Sequence, residues 1–185
     1  MQWEFEVGVI LLTLLILTIL KKSNKKIYRR FGLAFLAVIL FEYFTHPLWI
    51  NTNLQPWAYL YLDVSWIITL CWVNLILVSM AIVEYIAPKY RRYRELKKFL
   101  LTMVLITISG LYLEWLFLRL EVRQYPEVIK EYLDATFRIG NVIPIIEILY
   151  IPTFMALIIG FVRYWELTLD SANSENKKQV RRKKK

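Results

Sequence analysis

The stretch VGVILLTLLILTILKKSNKKIYRR, residues 7–30, places a long apolar run directly before a block of basic residues. The run at 7–20 carries no charge, and the ten residues after it carry six Lys or Arg. This order is typical of a transmembrane helix whose N-terminus lies outside, because Lys and Arg are retained on the cytoplasmic side. A secretory signal has its positive charge before the apolar core. The stretch therefore predicts a first transmembrane helix and not a cleavable signal.

The composition of the whole chain is that of a membrane protein. Of its 185 residues, 58% are hydrophobic and 16% aromatic, whereas a soluble domain has about 45–50% apolar residues. The formal charge of +9 falls mainly in three blocks beside apolar runs, which indicates membrane topology and no nucleic-acid partner. The single cysteine, Cys71, excludes an internal disulfide. Because no Cys/His cluster or Gly-rich loop is present, the sequence predicts neither a metal nor a cofactor.

Five apolar stretches are long enough to cross a bilayer as helices, which takes about 20 residues. Basic blocks with six, six and seven Lys or Arg follow the first, third and fifth of them, and the connection after the second has none. The positive-inside rule then places the N-terminus outside and the C-terminus in the cytoplasm, in what we expect to be the cell membrane. The predicted spans are 3–20, 31–50, 58–86, 99–119 and 142–166.

The predicted fold is an all-α bundle of five transmembrane helices in one domain, residues 1–166, followed by a basic, disordered tail at 167–185. The long outer connection separates charged from apolar side chains at helical spacing, with Pro126 at its start and Gly140 at its end. This pattern predicts an amphipathic helix in the outer interface. Membrane lipids are the expected partners, with anionic lipids at the basic loops and tail, and other membrane subunits are a further option.

The two parts of the chain at 31–86 and 99–166 share an outline that indicates a parallel internal repeat. Each begins after a basic block, crosses outward with a Glu in the span, turns and crosses back. Glu42 and Glu114 hold corresponding positions, 72 residues apart. A repeat interface in a membrane protein often carries a site. Chance similarity among apolar helices is the alternative.

Acidic residues inside the predicted spans are the main candidates for chemistry. An ionised side chain at the bilayer centre costs at least about 2.5 kcal/mol, so we expect these acids to converge on an interior cavity, with Glu42 near mid-membrane and the other three in the outer half. The alternative is that they are hydrogen-bonded contacts between helices. His46 lies one turn after Glu42, yet this pair lacks the further ligands of a metal site. The four acids are Glu42, Asp63, Glu114 and Glu147.

Polar and aromatic side chains in the same spans are candidate partners of the acids. A neutral carboxylic acid in an apolar pocket is a Brønsted acid that can protonate an alkene, and aromatic faces can stabilise the resulting carbocation. Thr69 is a further candidate hydrogen-bond partner. The candidate substrate-binding residues are Tyr43, Tyr59, Trp66, Trp72, Asn74, Tyr112 and Trp115.

The order LFEYF, WAYLY, DVSWIITLCWVNLI, SGLYLEWLFL and NVIPIIEILYIP resembles the membrane family of carotenoid biosynthesis proteins that includes the bacterioruberin-type hydratases, and also the lycopene cyclase domains. The resemblance covers residues 31–165 and gives Glu42 and Glu114 the acid positions, with Val64 and Val142 at the helix starts. The family's Gly-Val-Pro reads Asp-Val-Ser and Asn-Val-Ile-Pro here. The resemblance implies acid-initiated chemistry on an isoprenoid chain, or a relative that kept the fold and lost the reaction.

The leading functional hypothesis is an integral membrane enzyme that acts on a polyisoprenoid or another lipid olefin. Glu42 and Glu114 would be the proton donor and its partner acid, and His46, Asp63 and Glu147 would tune or orient them. The alternatives are a non-enzymatic accessory or binding subunit and a small transporter with midplane acids. An enzyme predicts a closed pocket with aromatic walls, a transporter a wet path, and an accessory subunit paired acids without a cavity.

Overall fold

The computed structural model describes the backbone of residues 2–86, 94–134, 138–139, 143–144 and 147–183, and the side chains of 3–86, 95–131 and 149–172. Most of this part of the chain is helical. Its helices are α1 (Gln2–Ser23), α2 (Ile27–Thr45), α3 (Trp66–Ile86), α4 (Arg94–Arg119), α5 (Glu127–Asp134) and α6 (Glu147–Lys183).

Short antiparallel strand pairs lie in the connections between the helices. Two 3-10 turns, His46–Leu48 and Pro56–Ala58, accompany them. The predicted all-α class therefore describes the bundle and omits these small pairs. The pairs are β1 (Ile50–Asn51) with β4 (Arg123–Gln124), β2 (Tyr59–Tyr61) with β3 (Val64–Ser65), and β5 (Arg138–Ile139) with β6 (Ile143–Pro144).

Four helices in the described part of the chain, α1 to α4, are long and apolar enough to cross a membrane. They indicate a multi-pass membrane protein, as the composition predicts. The central one is α3, in which 67% of the apolar window is buried inside the protein, against 22% in each of the other three. Since α1, α2 and α4 leave most of their apolar surface uncovered, that surface is suited to lipid contact.

The bundle has two chemically different ends. The end at which α2 and α4 finish and α3 and α6 begin carries the strand pairs and turns, and we call it the loop end. The opposite end carries ion pairs between basic and acidic side chains, such as Arg30 with Glu166 at 2.8 Å, and we call it the basic end. The two ends explain why basic blocks and long connections alternate along the sequence.

The predicted second and third spans extend too far into the loop end. The second span was expected at 31–50, but α2 covers Ile27–Thr45. Pro47 has no N–H to continue the helix, and the chain passes into a 3-10 turn and β1. The third span was expected at 58–86, but α3 begins only at Trp66, because residues 59–65 form the β2–β3 hairpin. Hydropathy alone does not distinguish an apolar hairpin from an apolar helix.

The last helix also differs from the prediction. It was expected at 142–166 with a disordered tail, whereas α6 runs from Glu147 to Lys183 with Pro152 inside it. Pro144, which falls within the predicted span, lies in β6 and not in the helix. The tail is helical because its polar residues include few helix breakers and continue an established helix, which requires no new nucleation.

The predicted interfacial helix corresponds to α5, which begins at Glu127, one residue after Pro126, and ends at Asp134. The predicted end of this helix at Gly140 lies outside the described residues. In the second half of the proposed repeat, residues 142, 145 and 146 of the predicted span 142–166 also lie outside them. The internal repeat stays a prediction.

Candidate functional site

Glu42 and Glu114 come together at the loop end of the bundle. Each is 2% exposed, one on α2 and the other on α4. Glu42 lies three residues before the end of its helix and Glu114 five residues before the end of its own. At about 1.5 Å of rise per residue, both acids sit within roughly 8 Å of the helix ends. Both acids therefore lie near the loop end of their helices, whereas Glu42 was expected near the middle of its span.

The group that joins the two acids is Arg123, a residue of β4 that is 3% exposed. Its Nη1 donates to Oε2 of Glu114 at 3.0 Å, and its Nη2 lies 3.6 Å from Oε1 of Glu42. The guanidinium also lies 5.0 Å from the ring centroid of Trp49 and 5.3 Å from that of Phe117. A buried cation between two carboxylates and two aromatic faces is thus the centre of the site.

The local backbone explains how Arg123 reaches the bundle interior. At the end of α4 the N–H of Val122 bonds to the carbonyl of Phe117 at 3.1 Å, and the N–H of Glu121 bonds to that of Leu118 at 3.3 Å. This is the Schellman pattern that terminates helices, with Glu121 in the left-handed conformation (φ 55°). The motif reverses the chain so that Arg123 points back beside the helix it has just left.

Two polar side chains fix the orientation of the charged groups. Asn51, paired with Arg123 in the β1–β4 ladder, accepts from Arg123 Nε at 3.1 Å and donates to the backbone oxygen of Asp63 at 2.8 Å. Thr69 on α3 donates to Oε2 of Glu42 at 2.8 Å. The Thr69 hydroxyl also lies 3.1 Å from the carbonyl of Ser65, so it can donate there and accept from Glu42 instead. Thr69 therefore suits both protonation states of Glu42.

A small cavity of about 30 Å³ lies beside the acids. Its polar wall contains Glu42, Glu114 and Arg123, and its other walls are aromatic and aliphatic side chains of α2, α3 and α6 together with Trp49. This volume has room for about one or two water molecules. The walls include Val38, Phe41, Trp72, Tyr150, Phe154 and Ile158.

Of the three other predicted acid–base residues, His46 and Asp63 do not line this cavity. The His46 ring faces its own turn, where Nδ1 lies 2.9 Å from the carbonyl oxygen of Tyr43. Asp63 lies in the hairpin turn before α3, outside the helix, and contributes its backbone oxygen to Asn51. Glu147 is the first residue of α6, and its side chain lies outside the described part of the chain.

Of the predicted substrate-binding residues, Trp72 lines the cavity. Tyr43 and Tyr112 are 48% and 65% exposed on the bundle surface, and Trp115 stacks on Tyr112. Asn74 is buried but donates to Thr13 of α1 at 2.8 Å, so its contact joins two helices.

Tyr59 and Trp66 belong to the loop-end scaffold. Trp66 donates from Nε1 to the carbonyl of Trp57 at 2.9 Å, and Tyr59 donates to that of Asn51 at 3.2 Å. Partial burial is the main cause that raises the pKa of the Tyr59 hydroxyl. Both side chains hold the hairpin and its neighbouring turn in place instead of lining the cavity.

Several residues of the site were not among the sequence candidates. Arg123 lies in a connection that was expected to be an outer loop, and Trp49 lies in a stretch that was expected to be helical. The α6 residues Tyr150 and Phe154 carried no charge to single them out. The one signal for Arg123 was a basic residue on the side that the positive-inside rule leaves poor in Lys and Arg.

Within the residues that the structure describes, no group of three or more His, Cys, Asp or Glu side chains is placed to hold a metal ion. No family model, no curated protein and no solved structure matches this chain. The chemistry of Glu42, Glu114 and Arg123 is therefore the basis for a functional assignment.

Proposed function

We propose that the chain is an integral membrane enzyme that uses Glu42 and Glu114 for proton-initiated chemistry on an isoprenoid, a carotenoid or another lipid olefin. The observation that carries this proposal is that two buried acids from different helices face one cavity with aromatic walls. Structural contacts between helices need no such cavity. An apolar cavity with a few convergent polar groups is also the usual form of a small-molecule site.

The charge balance of the triad favours a role in proton transfer. With both carboxylates ionised, Glu42, Glu114 and Arg123 together carry a net charge of −1 in a buried site. An uncompensated buried charge is strongly unfavourable, and one bound proton neutralises it. Arg123 donates a hydrogen bond to Glu114 and only approaches Glu42 at 3.6 Å. Glu42 is therefore the better place for the proton, and Oε1, which has no hydrogen-bond partner among the described residues, is the oxygen that would donate it.

The proposed step breaks the O–H bond of Glu42 and forms a C–H bond with the π electrons of the substrate alkene. The remaining carbon becomes a cation, which faces the carboxylate that the transfer leaves on Glu42. Arg123 stabilises that carboxylate, and the aromatic walls stabilise the carbocation by cation–π attraction. The cation then either loses a proton from a neighbouring carbon to the Glu42 carboxylate, which gives a double-bond isomer, or takes up water, whose proton passes to the same carboxylate, which gives an alcohol.

Access to the site has to come from the bilayer side. The cavity of about 30 Å³ is much smaller than the 300–1,000 Å³ typical of ligand pockets. Its apolar walls come chiefly from α2 and α6, with Val38 and Ile158 farthest along these helices from the loop end. We infer that α2 and α6 separate when an apolar chain enters, so that its olefin reaches Glu42.

A second candidate is an accessory membrane protein in which the triad only anchors the loop. The observation that favours it is the ion pair of Arg123 with Glu114, together with the hydrogen bond from Arg123 to Asn51. These contacts tie β1 and β4 to the helices without any substrate. The third option from the sequence is a small transporter. The contacts of the described residues show no water-filled path that would support it.

The test is to purify the protein gently, with the Glu42→Gln and Glu114→Gln variants, and to identify bound lipids by mass spectrometry. We expect a co-purifying olefin that is chemically unaltered in Glu42→Gln and altered in the wild type. Glu121→Gln is the matched control, because Glu121 is an exposed acid at the same end that does not line the cavity. Loss of thermal stability in both cavity variants without any bound olefin would favour the accessory role.

We propose in addition that α6 is the fifth span, with the loop end outside and the basic end in the cytoplasm of the cell membrane. The apolar stretch 148–162 supports this assignment, as does the packing of α6 against both α2 and α4. The segregation of basic blocks to one end supports the orientation.

A further inference from the structure

The basic end of the bundle contains a larger cavity than the loop end. Its volume is about 610 Å³, which lies in the range of about 300–1,000 Å³ for ligand sites. The start of α2, the start of α4 and the middle of α6 form its walls, and we call it the basic-end cavity. Its cationic side chains are Lys26, Arg29, Arg30, Lys98 and Arg163.

One of these cations, Arg30, is paired with two acids, so this group carries one negative charge more than its cation neutralises. Arg30 donates to Glu84 through Nη1 and Nη2 at 3.1 and 2.8 Å, and to Glu166 through Nε and Nη2 at 2.8 and 3.2 Å. Two carboxylates thus occupy the fork of a single guanidinium. This group joins α2, α3 and α6, and its role is structural.

The other four cations are arranged as two pairs, each of which shares one acid. Lys26 and Arg29 both bond to Asp170, at 2.6 and 2.9 Å, and these two contacts lower the pKa of the Asp170 carboxyl. Lys98 and Arg163 share Glu95 in the same way, at 3.6 and 2.8 Å. Each pair therefore has one positive charge more than its acid neutralises, and the five cations and four acids of the whole cavity leave a net charge of +1.

The hydrogen-bonding capacity of these pairs is also incompletely used. Lys98 is 8% exposed, yet its ammonium lies 3.6 Å from Glu95, which is beyond hydrogen-bonding distance. Among the described residues, Nε of Arg29 and Nε of Arg163 are buried without a hydrogen-bond partner. An anion with several acceptor oxygens would satisfy both the charge and these donors.

The remaining wall identifies the kind of anion. Leu96, Phe99 and Leu167 line the same cavity, and Leu96 and Leu167 are 57% and 69% exposed on the outer face of the bundle. A cationic wall beside an apolar one, at the end of membrane-spanning helices, suits an amphipathic anion. We propose that the basic-end cavity binds the phosphate headgroup of an anionic phospholipid, whose acyl chains lie against α4 and α6. This inference does not depend on the chemistry at Glu42.

The test uses the full chain in detergent, titrated with dioleoylphosphatidylglycerol or dioleoylphosphatidylcholine at constant salt, with native mass spectrometry to measure bound lipid. We expect phosphatidylglycerol to bind at least about tenfold more tightly than the neutral lipid, since the cations of the cavity attract its net negative charge. Lys98→Gln/Arg163→Gln should remove this preference. The control is Lys21→Gln/Lys22→Gln, which loses the same charge at the same end outside the cavity and should keep it.

A second variant, expected to strengthen lipid binding, keeps the test decisive if the double variant fails to fold. Glu95 is 71% exposed, so Glu95→Gln should fold, and it removes the acid that Lys98 and Arg163 share. We expect it to bind phosphatidylglycerol about threefold or more tightly than the wild type.

Three results would overturn the proposal. If Lys98→Gln/Arg163→Gln and Lys21→Gln/Lys22→Gln lost the preference for phosphatidylglycerol equally, the binding would be a diffuse attraction to basic residues and not a property of the cavity. Unchanged or weaker binding in Glu95→Gln would contradict the surplus-charge basis of the site. Binding of glycerol 3-phosphate alone, as tight as that of the lipid, would assign the cavity to a soluble phosphate.

Discussion

Arg123 illustrates how one residue takes its role from its neighbours. A guanidinium that is 3% exposed has lost nearly all of its hydration, and only nearby anions and acceptors can compensate for that loss. Glu114, Glu42 and Asn51 provide them, and they come from two helices and a strand. If Arg123 is removed, these three groups lose the cation and the hydrogen-bond donors that offset their own burial. The stability of the site therefore depends on all of its members together.

We expect Arg123→Met to lower the free energy of unfolding by about 3–5 kcal/mol, because it leaves two buried carboxylates without their cation. The measurement is denaturant unfolding in detergent. Arg119→Met is the matched control, because Arg119 is exposed and its change should cost less than about 1 kcal/mol. Arg123→Met/Glu42→Gln/Glu114→Gln should recover most of the loss, since no buried charge then remains.

The pH dependence of the Arg123→Met defect follows from the same charges. Protons can neutralise the carboxylates that have lost their cation, so the defect should shrink as the pH falls. A defect that stays constant between pH 8 and pH 5 would mean that lost packing against Trp49 and Phe117, and not charge, is its cause.

At the scale of the elements, close packing between helices positions the wall of the small cavity beside Glu42 and Glu114. Gly110 of α4 lies against the Trp72 ring of α3 and against Ile151 of α6. A Cβ at Gly110 would lie 3.1 Å from Trp72 Cζ3 and 3.2 Å from Ile151 Cγ2. Because Trp72 is 6% exposed and packs edge-on against Phe117, it has little room to move.

We therefore expect Gly110→Ala to destabilise the protein by about 1–2 kcal/mol, since overpacking a filled interface forces side chains out of their rotamers. Gly32→Ala is the matched control. A Cβ at Gly32, in α2, meets nothing within 4 Å, so this change should stabilise the helix by up to about 1 kcal/mol. Thermal unfolding midpoints of the two variants, measured side by side, should move in opposite directions. Equal shifts would show that the α3–α4 contact is loose enough to adjust.

At the scale of the whole molecule, the proposed orientation places the loop-end site and the basic-end cavity on opposite sides of the membrane. In a Cys71→Ala background, Leu60→Cys marks the loop end and Ser23→Cys marks the basic end, and both positions are exposed. We expect a membrane-impermeant maleimide to label Leu60→Cys in intact cells and Ser23→Cys only after permeabilisation. Labelling in the reverse pattern would place the N-terminus in the cytoplasm and contradict the proposed orientation.

Much of the architecture was predictable because membrane helices follow from local composition. Length and hydropathy alone identify α1 to α4, since every backbone polar group in a bilayer needs a partner within its own helix. The helix ends were less predictable. Residues 59–65 are apolar enough to continue α3, yet they form a hairpin, because Ser65 donates to the carbonyl of Ala58 and Tyr59 pairs with Ser65. These contacts join residues whose pairing no hydropathy window records.

The sequence by itself determined that this is a membrane protein, which helices are long enough to cross a bilayer, and that Glu42 and Glu114 are acids requiring a partner. These properties depend on the transfer of each segment from water to lipid, which is additive along the chain. Only the tertiary structure decided which partner they have. Arg123 is 81 residues from Glu42 in the chain, and it reaches the acid through a helix-terminating turn and a two-residue strand. Such an encounter depends on how the elements pack, and no local pattern of residues encodes it.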